Sequence, residues 1–271
     1  MTPIRHELWE NVPEGGEYTP YMLEYRPEVK KTDAVIYLVP GSGYKWDPSR
    51  PVQEGDRVAR YLIESGITVF VLIYRVEDEC YPCPILDGRR GMRYLRYNAE
   101  KLAIDPGRII SLGYSAGGHL CASLVSFKRE MPGEGVDELD ELDFTPNYQA
   151  LCYPVISFDT DKRYTHRGSV EALLGEAWMD LADEMSFETS MTVAPPPTFL
   201  FHNFDDRSVG VQNSLLYACR IKELGGSVEM HIYPDGDHGV GYAIDGKPSS
   251  LHNRDWIEQL IRWLKYNGIY N

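Results

Sequence analysis

At 271 residues, with 43% hydrophobic and 12% aromatic residues, the chain can bury a large core and is not expected to be disordered. Its formal net charge of −14 argues against nucleic acid or an anionic membrane surface as a partner, because both bind basic faces. Such a charge suits a protein that handles neutral small molecules.

The amino-terminal residues and the cysteines favour a reducing compartment. Residues 1–7 are polar and no apolar stretch follows them, so we predict no signal peptide, and no run is long and apolar enough to span a bilayer. The five cysteines are odd in number, and Cys80 and Cys83 form a C-x-x-C interleaved with prolines that has no second pair. We predict a reduced pair in a loop rather than a metal or redox site, and a cytoplasmic protein.

Short apolar runs alternate with helical patterns along the first half of the chain. Continuous runs rich in β-branched residues are typical of strands buried on both faces, whereas apolar residues at every third or fourth position predict helices. The predicted strands are 18–25 (extended, at the sheet edge), 35–39, 68–74 and one that begins at 108, and the predicted helices are 57–63 and 85–102.

The second half continues the alternation but contains two long irregular stretches. Residues 130–143 are acidic and aperiodic, which predicts a solvated surface insertion. Residues 157–194 lack strand character, and a stretch this long predicts a lid or a substrate-shaping insertion. The remaining predicted strands are 150–156, 197–202 and a more peripheral 228–233, and the helices are 212–224 and 255–266. We predict one α/β domain over residues 1–271, with a mostly parallel central sheet and helices on both faces.

A nucleophile elbow is predicted where the strand from residue 108 ends. The sequence there is Gly113-Tyr114-Ser115-Ala116-Gly117, a G-x-S-x-G pattern between a strand and a helix. Gly113 and Gly117 would avoid collisions with neighbouring backbone, Ser115 would be exposed at the sheet end, and the Ala116 amide would begin the helix as a donor for negative charge.

A serine nucleophile needs a base, and the base needs an acid that orients it. Ligands of open α/β sheets bind at the carboxyl ends of the strands. His238 lies in a glycine-flanked loop after strand 228–233 and is the predicted base, whereas Asp205 and Asp206 both follow strand 197–202 and the residues leave the choice open.

The other histidines have less suitable positions. We expect His119 to point away from Ser115 or to pack beneath it, because it lies on the elbow helix. His202 is expected to satisfy a backbone group at its strand end. His166 is expected to face solvent or to lie in the lid.

The loop 40–44, Pro-Gly-Ser-Gly-Tyr, follows the first buried strand. Its small residues would let the backbone approach a substrate carbonyl, so we predict that it supplies the second oxyanion donor beside Ala116. We also predict substrate contacts for Tyr44, at the end of this loop, and for Tyr114, beside the nucleophile.

Together, residues 40–44, 113–119, 196–209 and 236–239 resemble an α/β-hydrolase serine esterase, and more narrowly the bacterial acetyl esterase and acetyl xylan esterase-like carboxylesterases. In such families the acid stands in Asp-x-x-Val-Pro, which implies Asp206, although Gly210 replaces the proline; Asp205 remains the alternative.

The resemblance also bears on the oxyanion loop. Relatives commonly have three consecutive glycines there, and in this chain Ser42 replaces the middle one. The implied oxyanion donors are therefore the amides of Ser42, Gly43 and Ala116.

The resemblance implies a Ser115-His238-Asp206 ester hydrolase that removes short acyl groups, above all acetyl, from sugars or xylo-oligosaccharides, with no cofactor and no metal. A general short-chain carboxylesterase, a peptidase or thioesterase of the same fold, and a non-catalytic binding protein are the alternatives. The expected partner is a small ester or an acetylated oligosaccharide, not nucleic acid or membrane, and the sequence is compatible with a homo-oligomer.

Overall fold

The computed structural model describes residues 2–13, 19–41, 43–45, 49–76, 80–239 and 255–270. Within these, eight strands form one sheet in the order β1-β2-β4-β3-β5-β6-β7-β8. The strands are β1 Ile4–Glu7, β2 Tyr21–Tyr25, β3 Val35–Val39, β4 Thr68–Ile73, β5 Ile109–Tyr114, β6 Tyr148–Cys152, β7 Thr198–Asn203 and β8 Val228–Tyr233.

Strands β3 to β8 pair in parallel, whereas β1 and β2 join one edge antiparallel. The parallel strands at the centre are apolar on both faces because helices cover both. The helices are α1 Ser49–Glu64, α2 Cys83–Tyr97, α3 Ala99–Leu102, α4 Ala116–Ser126, α5 Arg167–Leu174, α6 Phe187–Ser190, α7 Gln212–Glu223 and α8 Trp256–Tyr266. The predicted α/β architecture is confirmed, with β1 and β2 at one edge and β8 at the other.

Two hydrophobic clusters fill the two sides of the sheet. Along β3, Ile36 and Leu38 pack with α1 and α8 on one side, whereas Tyr37 points to the other side, toward α2 and α4. This alternation follows from the two-residue period of a strand. The sheet therefore holds the carboxyl ends of β3, β5, β7 and β8 along one edge, where the predicted site residues follow the strands.

Several predicted boundaries are wrong by a few residues. The helix predicted at 85–102 begins earlier, at Cys83, and breaks at Asn98 into α2 and α3. Cys83 is therefore in a helix rather than in a loop. The Cys80 thiol is buried and donates to the carbonyl of Ala172.

The acidic stretch 130–143 is largely exposed, as its composition predicts, but ion pairs also attach it to the rest of the fold. Its carboxylates pair with three buried arginines of α2 and neutralise their charges. These pairs are Arg89 with Glu134 at 2.7 Å, Arg90 with Asp137 at 2.5 Å and Arg93 with Asp140 at 3.0 Å. These partly buried Arg–carboxylate pairs hold the stretch 130–143 against α2.

Residues 157–194 pack into the core on the α4 side of the sheet. The segment contains α5, a short 3-10 turn at Met179–Leu181 and α6, and its apolar side chains are largely buried. Backbone amides of Cys80 and Tyr81 donate to the carbonyls of Ala172 and Leu173 and so attach α5 to the rest of the fold. Across the described ranges, no helix has the length and apolar character needed to cross a membrane.

Candidate active site

Ser115 lies at a strained turn between β5 and α4. Its backbone has φ 56°, a left-handed conformation that a non-glycine residue rarely adopts. Four backbone hydrogen bonds hold the turn: the Ser115 amide donates to Cys152, and its carbonyl accepts from Gly118, His119 and Val155. These contacts with β6 and α4 impose the conformation that presents the hydroxyl at the sheet end.

The two elbow glycines stand where any side chain would collide with backbone. A Cβ at Gly113 would lie 2.3 Å from the carbonyl oxygen of Gly117, and a Cβ at Gly117 would lie 2.2 Å from that of Val39. Gly41 is equally confined, since its Cβ would lie 2.7 Å from Cβ of Ser115. The loop that contains Gly41, the strand β5 and the helix α4 are thus in close contact.

Replacing Gly117 with alanine should therefore destabilise the protein, although alanine is the better helix former by about 1 kcal/mol. The backbone overlap with Val39 and Pro40 outweighs that preference, and we expect a loss of about 3 kcal/mol in the free energy of unfolding, measured by urea denaturation. The control is Gly107→Ala at an exposed turn, which should change stability by no more than about 0.5 kcal/mol. Equal stability of the two variants would show that the packing argument is wrong.

The structure brings Ser115, His238 and Asp206 into one line. Nε2 of His238 lies 2.9 Å from Oγ of Ser115, and Nδ1 lies 2.7 Å from Oδ2 of Asp206. An ionised carboxylate only accepts, so Nδ1 carries the proton and Nε2 is free to accept from the serine hydroxyl. This is the tautomer that a general base needs.

Asp206 is held as a buried carboxylate by four donors. Burial alone would raise its pKa, but hydrogen bonds from His202 and His238 and from backbone amides hold the pKa well below its usual range. The other oxygen, Oδ1, accepts from the amides of Ser208 and Val209 at 2.9 Å each. Asp206 therefore stays ionised at neutral pH and faces His238.

Asp205 points elsewhere and joins two loops. Its side chain is exposed and its Oδ1 accepts from the amide of Asp237 at 2.9 Å. The Asn203 amide group donates to the carbonyl of Asp237 at 2.8 Å, so the loop after β7 holds the loop that carries His238. The sequence reasoning missed Asn203 and Asp237 because their roles depend on loop contacts more than 30 positions apart.

Tyr153 is a further residue that the sequence reasoning missed. Its buried ring meets the imidazole of His238 edge-on with 4.7 Å between ring centroids, and its backbone has φ 36°. The ring of Tyr153 restricts rotation of the imidazole, which the hydrogen bond with Asp206 alone would not prevent. No sequence signal marks this residue except its position just after a buried strand.

The predicted oxyanion donors are placed as follows. Ala116 is the first residue of α4, where the amide has no acceptor within the helix. Gly43 has φ 69°, a conformation open to glycine, in the loop that Gly41 presses against Ser115. Ser42 lies outside the described residues.

The substrate contacts predicted for Tyr44 and Tyr114 are wrong, because neither ring reaches the surface. Tyr44 is fully buried and its hydroxyl donates to Nδ1 of His119 at 2.9 Å. The ring of Tyr114 is 1% exposed and packs against Tyr153. Both rings therefore pack in the core next to the site, against His119 and Tyr153 respectively.

The histidines of the core have structural roles. His119 packs beneath the elbow, its ring stacked on Phe158, and its Nε2 donates to the carbonyl of Met185. Burial lowers the pKa of His119 to about 3, so its ring is neutral and only weakly basic, and the hydrogen bonds with Tyr44 and Met185 occupy both of its nitrogens. His202 donates to the backbone carbonyl of Val209, as expected. His166 is half-buried beside Gly43 rather than facing solvent.

Comparison with known proteins identifies the family. Residues 23–220 match the model of the BD-FAE family. The chain belongs to this family. A solved structure, the acetyl ester-xyloside bifunctional hydrolase from Caldicellulosiruptor lactoaceticus, is 35% identical with a TM-score of 0.86 and covers 99% of this chain and 97% of its own. Together with the sheet order, these relatives assign the chain to the α/β-hydrolase fold.

More distant comparisons agree on the fold. Apo esterase 2 of Thermogutta terrifontis superposes with a TM-score of 0.79 at 22% identity, over 100% of this chain and 96% of the other. Among curated sequences, the acetylxylan esterase of Xylanibacter ruminicola is 31% identical over 90% of this chain, and the endo-1,4-beta-xylanase B of Butyrivibrio fibrisolvens is 30% identical over 96%. The chain spans about half the length of these two relatives, 48% and 42% respectively.

Proposed function

We propose that this chain is a serine carboxylic-ester hydrolase whose nucleophile, base and acid are Ser115, His238 and Asp206. The observation that supports it is the continuous hydrogen-bond line from Oγ of Ser115 through the imidazole of His238 to Oδ2 of Asp206. The hydroxyl stands on a strained turn at the start of a helix, where a carbonyl carbon can approach it.

In the first step, Oγ of Ser115 attacks the ester carbonyl while Nε2 of His238 takes the hydroxyl proton. The new positive charge on the imidazole is stabilised by Asp206, which remains ionised. The carbonyl oxygen becomes negative, and the amides of Ala116 and Gly43 are its proposed donors. His238 then gives its proton to the leaving alcohol, and the acyl group stays on Ser115.

In the second step, water takes the place of the alcohol. His238 removes a proton from the water as it attacks the acyl-serine, the same donors stabilise the second oxyanion, and the proton returns to Oγ of Ser115. The products are a carboxylic acid and the free enzyme. His238 carries out the proton transfers of both steps, and Asp206 and the oxyanion donors stabilise the charges that form.

The substrate class we propose is a short-acyl ester, above all an acetyl ester, on a sugar or xylo-oligosaccharide. The support comes from relatives: an acetylxylan esterase and an acetyl ester-xyloside hydrolase are each more than 30% identical to this chain. The net charge of −14 suits a neutral carbohydrate ester better than an anionic one.

A general short-chain carboxylesterase is the second candidate. The carboxylesterase NlhH of Mycobacterium tuberculosis is 27% identical over 83% of this chain and 72% of its own length. The same three residues would perform the same chemistry, so only the alcohol and acyl preferences distinguish the two candidates.

The test is acetate release from acetylated xylo-oligosaccharides, acetylated manno-oligosaccharides, simple sugar acetates and p-nitrophenyl acetate. We expect acetylated xylo-oligosaccharides to give the largest kcat/KM. If no sugar ester is cleaved faster than p-nitrophenyl acetate, the carbohydrate assignment fails and the general carboxylesterase is favoured. Absence of hydrolysis of every ester, together with failure of Ser115 to react with a fluorophosphonate, would contradict ester hydrolysis itself.

A further inference from the structure

A histidine outside the triad lies beside the loop 43–45 of the proposed site. His166 precedes α5 in the segment 157–194, and its Cε1 lies 3.6 Å from the position that a Cβ on Gly43 would occupy. Gly43 belongs to the loop that presses against Ser115 through Gly41. The imidazole thus lies beside Gly43, at about the distance that one added side-chain atom would fill, and the fold brings it there from a different part of the chain.

The hydrogen bonds of His166 define its tautomer. Its Nδ1 accepts from the backbone amide of Ser169 at 3.2 Å, which caps α5, and Oγ of the same serine lies 2.8 Å away. A backbone N–H can only donate, so Nδ1 carries the lone pair and Nε2 carries the proton. No described residue accepts a hydrogen bond from Nε2. The ring therefore offers one oriented donor.

Burial, more than the charges nearby, keeps the ring of His166 neutral. Burial lowers the pKa of His166, the nearby imidazole of His238 lowers it further, and the carboxylate of Asp206 acts in the opposite direction. The position of the ring follows from its place beside Gly43, in the loop that Gly41 presses against Ser115. A neutral donor in this place avoids a second positive charge beside the imidazolium that forms on His238 during catalysis.

We propose that Nε2–H of His166 donates a hydrogen bond to an oxygen of the alcohol portion of the bound ester, and so selects polyol and sugar alcohols. This inference rests on the proposed function. The leaving oxygen must lie beside Nε2 of His238 to receive its proton, so the substituents of the alcohol extend from that point. A sugar or polyol provides oxygens there, whereas an alkyl alcohol leaves the donor of His166 without a partner, which costs binding energy.

The experiment compares two acetate esters whose alcohols differ in hydroxyl groups, glycerol 1-acetate and n-propyl acetate, and adds acetylated xylobiose. His166→Asn keeps an oxygen close to the position of Nδ1, which caps α5, but lacks a donor at the position of Nε2. His166→Gln extends an amide N–H toward that position. Ser169→Ala is the control, because it removes the hydroxyl and leaves the capping amide in place.

We expect His166→Asn to lower kcat/KM for glycerol 1-acetate and acetylated xylobiose about tenfold, corresponding to one hydrogen bond. The value for n-propyl acetate should change less than about threefold. His166→Gln should recover part of the loss, and Ser169→Ala should resemble the parent chain. Thermal unfolding of the variants within a few degrees of the parent excludes a folding defect as the cause.

Two results would overturn the proposal. An equal loss on all three esters would place the contact of His166 on the acyl group or the reacting carbonyl, which these substrates share. Values of kcat/KM that stay at the parent level for all three esters would show that Nε2 makes no contact with the substrate. A parent chain that hydrolyses none of the esters contradicts the proposed function instead, and that outcome is visible before any variant is compared.

Discussion

Replacing Ser115 with alanine is expected to lower kcat for p-nitrophenyl acetate by about 10⁴- to 10⁶-fold. The variant keeps the backbone of the elbow, the packing of Gly113 and Gly117 and the donors at the helix start, but has no Oγ to form an acyl intermediate. The measurement is steady-state hydrolysis, with labelling by a fluorophosphonate as a second readout of the nucleophile.

The matched control is Ser123→Ala on the same helix. Its buried hydroxyl donates to the carbonyl of Leu120 and does not contact the triad, so activity should stay within about twofold of the parent. Both variants should unfold at similar temperatures. Near-normal turnover by Ser115→Ala would require another nucleophile and would reject the assignment.

Replacing Asp206 with asparagine should lower kcat about 10³- to 10⁴-fold with little change in KM. Asparagine fills the same space, but its amide N–H can donate to Nδ1 of His238, which then loses its proton and places it on Nε2. A protonated Nε2 cannot accept from Ser115. The comparison is the rate of p-nitrophenyl acetate hydrolysis by variant and parent at neutral pH.

Asp205→Asn is the control that separates the two adjacent aspartates. The amide oxygen of asparagine can still accept from the Asp237 amide and hold the loop that carries His238, so we expect a change of less than about threefold. If Asp205→Asn lowered the rate more than Asp206→Asn, the acid would be Asp205. The contact of Asp206 with His238 would then have only a structural role.

Much of the fold could be predicted because its signals are local. The strands at 35–39 and 68–74 are continuous apolar runs, and the structure places β3 and β4 within one residue of these bounds. The elbow pattern likewise depends on neighbouring residues, since Gly113 and Gly117 meet at the same strand-to-helix turn. Where a structural feature depends only on residues a few positions apart, the sequence is sufficient to predict it.

Predictions failed where distant parts of the chain decide the outcome. The ion pairs of the acidic stretch 130–143 were not predicted, because the arginines that bind its carboxylates lie 40 to 50 positions earlier, on α2. Tyr44 was predicted to contact substrate from its place in a loop, but the loop turns its ring inward to His119. Composition alone does not show which side of a backbone faces the core.

The sequence by itself determined the alternation of strands and helices, the elbow around Ser115 and the order of serine, aspartate and histidine along the chain, because each follows from short-range periodicity or sterics. Only the tertiary structure placed Asp206 rather than Asp205 against His238, set the ring of Tyr153 beside the same imidazole and brought His166 next to Gly43. These contacts join loops that follow different strands, and their geometry depends on how the whole sheet orders those strands.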